Sequence, residues 1–146
     1  MKRIFLILLA VVLLNQSAWC FAGEDAITPK PQKMDYVKAY YFHGDFRCSN
    51  CYKIEKYSKE AIDKYFVKEL ESGELEYKVI NVDERSNEHF AKDYKLYTKS
   101  LVISKIKGGK EVEYKNLEKV WNYLGDKGAF YNYVKEEVAK FLEENK

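Results

Sequence analysis

Hydrophobic and polar positions along the chain follow two different periods, and the switches between them predict its elements. "YVKAYYF", Tyr36 to Phe42, is short, β-branched and aromatic, as a largely buried strand requires. Gly44 and Asp45 break it. Ile54, Tyr57, Ala61, Ile62, Tyr65, Phe66 and Leu70 then repeat at the helical period, with Lys and Glu on the other face. That spacing predicts one long helix stopped at Ser72-Gly73. "LEYKVINVD", Leu75 to Asp83, reads as a second strand. Ser86 to Tyr97 reads as a second helix, with Phe90, Ala91, Tyr94 and Tyr97 on one side. "LVISKI", Leu101 to Ile106, is a third strand and Glu111 to Asn116 a fourth. Between them, Gly108 and Gly109 supply the positive φ of a tight hairpin. Asn116 is expected to cap a helix through Leu124, interrupted at Gly125 to Gly128. Ala129 to Leu142 continues it, with Phe130, Val134, Val138, Phe141 and Leu142 inward.

The helical crossover makes the first two strands parallel, and the hairpin adds an antiparallel pair. The expected fold class is α/β, a mixed four-stranded sheet flanked by helices on both faces.

The first residues belong to no such layer. Lys2 and Arg3 precede an unbroken apolar run, Ile4 to Leu14, and small and polar residues follow. This predicts a signal peptide over 1–22, cut after Ala22, in a chain of 146 residues. The run is short for a membrane span. Lipidation at Cys20 or an uncleaved leader would instead leave the protein tethered. Residues 23–34, with Pro29 and Pro31, read as a linker, and 35–146 as one domain. The expected location is the periplasm or another extracytoplasmic face.

Export changes two further readings. Removing the leader takes away Lys2 and Arg3 and no acid, so the formal charge falls from +2 to zero. No basic stripe argues for a nucleic-acid partner. Cys20 leaves with the leader, so Cys48 and Cys51 remain as a pair in a compartment that tolerates disulfides.

Those two cysteines sit at i and i+3 where the first strand feeds the first helix. The helix N-terminus offers unpaired N–H groups and the positive end of the macrodipole. Cys48 is therefore expected to be the more acidic and exposed thiol, the attacking one, and Cys51 the resolving one. Arg47 is a cation beside Cys48, and His43, a few residues earlier, is a second candidate for tuning the thiolate. His43 bonded to backbone at the strand end and Asp45 in a turn are the plainer readings.

With this element order, "YFHGDFRCSNC" and "KSLVISKIKGGK" resemble the thioredoxin superfamily, and look like a small exported branch with an Arg-Cys-x-x-Cys site. The resemblance covers roughly residues 35–124. It implies dithiol–disulfide exchange, with Cys48 as nucleophile and Cys51 as resolver. The partners implied are protein thiols and disulfides, with a membrane dithiol carrier as electron donor. No cofactor is implied beyond the redox-active Cys48–Cys51 disulfide.

Three positions depart from the family pattern. Thr98, Lys99 and Ser100 stand in the loop facing the dithiol where the family places a cis-proline. A cis bond without proline costs about 2.5–4 kcal/mol, so a trans loop is expected. Phe42 replaces the buried acid six residues before the first cysteine, and Ser49-Asn50 replaces Gly-Pro between the cysteines.

Three alternatives stay open. A local structural disulfide would close too short a loop to stabilise much. Metal could use the same sulfurs: zinc with His43 and His89 as remaining ligands, an iron–sulfur cluster shared by two chains, or Cu(I) on the pair alone. A non-catalytic thioredoxin-fold binding module is the last.

Overall fold

The computed structural model describes residues 35–144. The leader 1–22, the linker 23–34 and residues 145–146 lie outside the described residues. The element order is β1 (Tyr36–His43), α1 (Ser49–Tyr65), α2 (Val67–Ser72), β2 (Leu75–Asn81), α3 (His89–Asp93), β3 (Ser100–Lys107), β4 (Lys110–Asn116), a 3₁₀ turn (Glu118–Trp121) and α4 (Lys127–Glu143). The sheet order is β2-β1-β3-β4. β1 runs parallel to β2, with Phe42 opposite Ile80, and antiparallel to β3, with Phe42 opposite Ser100. β4 returns antiparallel beside β3. This is the expected mixed sheet.

Alternation along β1 separates two cores. Val37, Ala39 and Tyr41 join Ile54, Ile62, Leu101, Ile103, Phe130 and Val134 on the face covered by α1 and α4. Tyr40 and Phe42 face the other way, against Val102, Tyr94 and the half-buried Phe90 of α3. Tyr41 and Phe42 are both almost fully buried, so the strand end that leads into the cysteines is held from both sides. At the opposite end, Gly108 and Gly109 adopt φ of 58° and 76°, the two positive values a two-residue hairpin turn needs.

The structure corrects the sequence reading in three places. The first helix is not continuous to Ser72. Phe66 leaves helical geometry at φ −129°, ψ 35°, which turns its buried ring into the core and starts α2. The 86–97 helix shrinks to His89–Asp93. Asn87 holds a turn before it by donating to the Asn81 carbonyl at 3.0 Å, and Lys95 ends it in the left-handed region at φ 51°. Asn116 ends β4 rather than capping a helix. The Leu117 N–H bonds to the Leu101 carbonyl at 2.8 Å, and only a 3₁₀ turn follows. α4 has its own cap, Asp126, whose carboxylate accepts from the Ala129 N–H at 2.9 Å.

Candidate functional site

Cys48 occupies the N-cap position of α1 with extended backbone (φ −88°, ψ 169°), and Cys51 sits at the third helical position. Cys48 is exposed, Cys51 is 2% exposed, and both are free thiols. The pair forms a capping box in sulfur. The Cys48 N–H donates to the Cys51 sulfur at 3.2 Å. In return the Cys48 sulfur receives the Cys51 N–H, the looser arm, because that N–H is shared with the Cys48 carbonyl at 2.9 Å. No acidic residue occupies the first turn of α1 to offset the positive helix end.

The two thiols are driven apart in acidity. Hydrogen bonding from the Cys51 side chain, then from the backbone N–H groups of the first turn, pulls the Cys48 thiol below its ordinary value. Burial, then the Cys48 sulfur, pushes the Cys51 thiol up. An exposed, easily ionised sulfur therefore stands one turn before a shielded one that keeps its proton.

The loop into Cys48 is tied to the end of β2 and the turn after it. The Asp83 carboxylate accepts the Asp45 N–H at 2.7 Å, and the Asn81 side chain donates to Asp45 at 2.7 Å. Asp45 is thus a turn residue. His43 Nδ1 lies 3.0 Å from the Gly44 carbonyl, the strand-end backbone bond. Arg47 is paired with Glu55 and stacks over the Tyr52 ring at 4.2 Å. His89 is exposed on α3 and packs on the Phe90 ring. Arg47 and His43, the two candidates for tuning the thiolate, are each held by partners of their own.

Thr98, Lys99 and Ser100 form the run into β3. No cis peptide occurs among the described residues, so this loop is trans. Ser100 is buried and donates to the Thr98 carbonyl at 3.0 Å. The Lys99 carbonyl accepts the Trp121 indole N–H at 3.0 Å. The Lys99 ammonium lies 5.8 Å from the Phe46 ring centroid, and its positive field favours the Cys51 thiolate. Thr98 and Lys99 share a hollow of about 300 Å³ with His43 and the exposed Phe46 and Tyr97. A second hollow of about 460 Å³ shares Tyr97 and Thr98 and is walled by Tyr94, Tyr114 and Trp121. Neither cysteine lines either one.

Strand order, strand directions and a Cys-x-x-Cys pair at the β1–α1 junction decide the fold class. The fold is thioredoxin-like. No protein-family model and no curated protein matches the chain. Among solved structures, the reduced thioredoxin of Schistosoma mansoni is similar at 19% identity and a TM-score of 0.45, over 74% of this chain and 81% of that one. The thioredoxin of Fasciola hepatica is similar at 24% identity and 0.38, over 62% and 79%. The oxidised thioredoxin of Plasmodium falciparum is similar at 15% and 0.43, over 71% and 83%.

Two contacts near the dithiol have no local signal in the sequence. The Tyr41 hydroxyl, held protonated by burial, donates to the Cys51 carbonyl at 2.6 Å and fixes the first turn of α1 to β1. The Trp121 indole N–H, which donates to the Lys99 carbonyl, orients the Lys99 loop across 22 residues. For metal, the described residues bring together no group of three or more Cys, His, Asp or Glu. A closed zinc site needs four ligands, of which the two sulfurs would be two. Two-coordinate Cu(I) asks only for the two sulfurs.

Proposed function

We propose that the protein is a thiol–disulfide oxidoreductase acting outside the cytoplasm after loss of its leader. The carrying observation is the unequal pair: Cys48 exposed and acidified at the N-cap, Cys51 buried and protonated one turn on. The Cys48 thiolate attacks one sulfur of a substrate disulfide, the substrate S–S bond breaks, and the released thiolate takes a proton. Cys51 then loses its proton and attacks the Cys48 sulfur. The intramolecular S–S bond forms and the second substrate sulfur leaves as a thiol. Two electrons and two protons pass from the dithiol to the substrate, and the reverse sequence donates a disulfide. Protein disulfides are the substrates, and a membrane dithiol carrier restores the reduced pair.

The test is a redox titration of the full chain carrying Cys20→Ser in glutathione buffers, with insulin reduction and bound Cu, Zn and Fe measured on the same sample. A single two-electron transition confined to Cys48 and Cys51, with turnover, supports the proposal. Stoichiometric metal without turnover would make the pair a metal site. Reversible titration without turnover would leave only a binding module.

A further inference from the structure

We propose that two copies of this chain associate through their β4 edges, antiparallel, about a two-fold axis at Tyr114. The inference does not depend on the exchange reading.

Among the described residues, no strand lies beside the outer edge of β4. Every residue from Lys110 to Lys115 is exposed, including Val112 at 56% and Tyr114 at 38%. The register fixes which backbone groups face outward. Asn116 lies opposite Val102, and the Leu117 N–H reaches the Leu101 carbonyl at 2.8 Å. Antiparallel alternation then turns the N–H and C=O of Lys115 and Glu113 toward β3, and those of Tyr114 and Asn116 outward. The register skips Val112, the bulged residue.

An open edge rich in charge usually resists pairing. Here the charges select one register instead. Centring on Glu113 sets that carboxylate against its own copy. Centring on Val112 sets Glu111 against the partner's Glu113, and centring on Lys115 brings two ammonium groups together. Centring on Tyr114 sets Glu113 against the partner's Lys115, twice by symmetry. This pair falls at a position without cross-strand hydrogen bonds, where Cα atoms approach to about 4.5 Å. Within each chain, Glu113 already takes Lys105 at 2.9 Å. Lys115 donates to Glu137 at 2.6 Å, and Glu137 also holds Lys140. The new contacts join these pairs into one row of alternating charge that crosses the axis.

On the other face of the sheet the two Tyr114 rings meet at the axis, an aromatic cross-strand pair. Each stands edge-on to the Tyr94 ring of its own chain, at 4.9 Å. Val112 lies opposite the partner's Asn116, and beyond it the bulge turns the strand away, so the ladder is confined to residues 112–116. The contact is isologous and closes on itself: it uses both β4 edges and gives a dimer rather than a fibre. The two-fold reverses strand direction. The dithiols, at the ends of the two β1 strands, therefore point to opposite ends of the joint sheet and both stay exposed.

A ladder this short belongs with weak interfaces, so the test runs to about 1 mM chain. The full chain with Cys20→Ser, reduced, is followed by sedimentation equilibrium over a concentration series. Its mass should rise toward twice that of one chain. Glu113→Lys and Lys115→Glu each set like charges across the axis and should each lose the dimer. Mixed in equal amounts they should regain it, because each supplies the charge the other lacks. Association kept in both variants, no gain on mixing, or a wild-type chain that stays monomeric throughout overturns the proposal. A second pair of variants decides the matter if a charge variant fails to fold. With Cys48 and Cys51 also replaced by serine, Tyr114→Cys should crosslink to itself on oxidation, and Glu113→Cys should not. Any other pattern overturns pairing at Tyr114.

Discussion

The backbone N–H of Cys48 donates to the sulfur of Cys51 at 3.2 Å, so the two cysteines close the first turn of α1 on each other. This makes their replacements unequal. Cys48→Ser puts a preferred N-cap residue where the thiol stood, so the fold should be as stable or more stable while exchange is abolished. Cys51→Ser keeps an acceptor for the Cys48 N–H and removes the resolving sulfur, so it should accumulate mixed disulfides at Cys48. Mass spectrometry of proteins trapped by each variant checks the assignment. Equal trapping by both would show that the roles are not fixed by position.

Arg47 pairs with Glu55 on the next turn of α1, with the side chains 15% and 29% exposed. A cation already matched to a carboxylate adds little net field at Cys48. Arg47→Met should therefore move the Cys48 midpoint, read by thiolate absorbance, by less than about half a unit. It should cost about 1–2 kcal/mol in stability, because the ion pair and the stacking on Tyr52 are lost together. Glu55→Gln leaves the cation unmatched and should lower the midpoint. A rise of a full unit in Arg47→Met would restore Arg47 as the main electrostatic partner of Cys48.

Gly44 has no room for a side chain in the present loop. A Cβ there would lie 2.5 Å from an Asp83 carboxylate oxygen and 3.1 Å from its carbon. That oxygen accepts the Asp45 N–H, so Gly44→Ala must swing the carboxylate away and break the tie. The expected loss is about 1 kcal/mol by denaturant unfolding. Asp83→Ala breaks the same tie by another route, so the double variant should lose much less than the sum of the two. Additive losses would mean that the loop is held otherwise.

The parts of this fold that could be read in the sequence are those with local causes. β1 and the hairpin follow from side-chain pattern and paired glycines, and the cysteines are placed by the strand–helix junction. The kink at Phe66 was hidden because Phe66 and Leu70 stay in phase with α1 across it. The 86–97 helix was overextended because its end depends on Lys95 adopting a conformation usually marked by glycine or asparagine. At the site, the two thiols could be ranked from helix position alone. The pairing of Arg47 with Glu55 and the Trp121 bond to the Lys99 carbonyl could not, because each needs the tertiary fold to bring its partners together.

Glu137 carries the clearest pH-linked contribution to stability. It is 6% exposed on α4, and its carboxylate accepts from Lys115 of β4 at 2.6 Å and from Lys140 at 3.1 Å. Burial opposes its charge, but the two ammonium groups outweigh burial and hold the carboxyl below its ordinary value. A carboxylate depressed in the folded state binds fewer protons there than in the unfolded chain. Its contribution is therefore complete above the ordinary glutamate range and is lost as pH falls through the lowered folded value. Wild-type stability should decline through that acid window, and Glu137→Gln should flatten this part of the decline. At neutral pH the variant should cost about 1–3 kcal/mol, because two lysines lose a shared partner and a buried ion pair is broken from one side. Urea unfolding at several pH values, with wild type and variant side by side, measures both effects. Parallel curves across the acid range would place the acid sensitivity elsewhere in the fold.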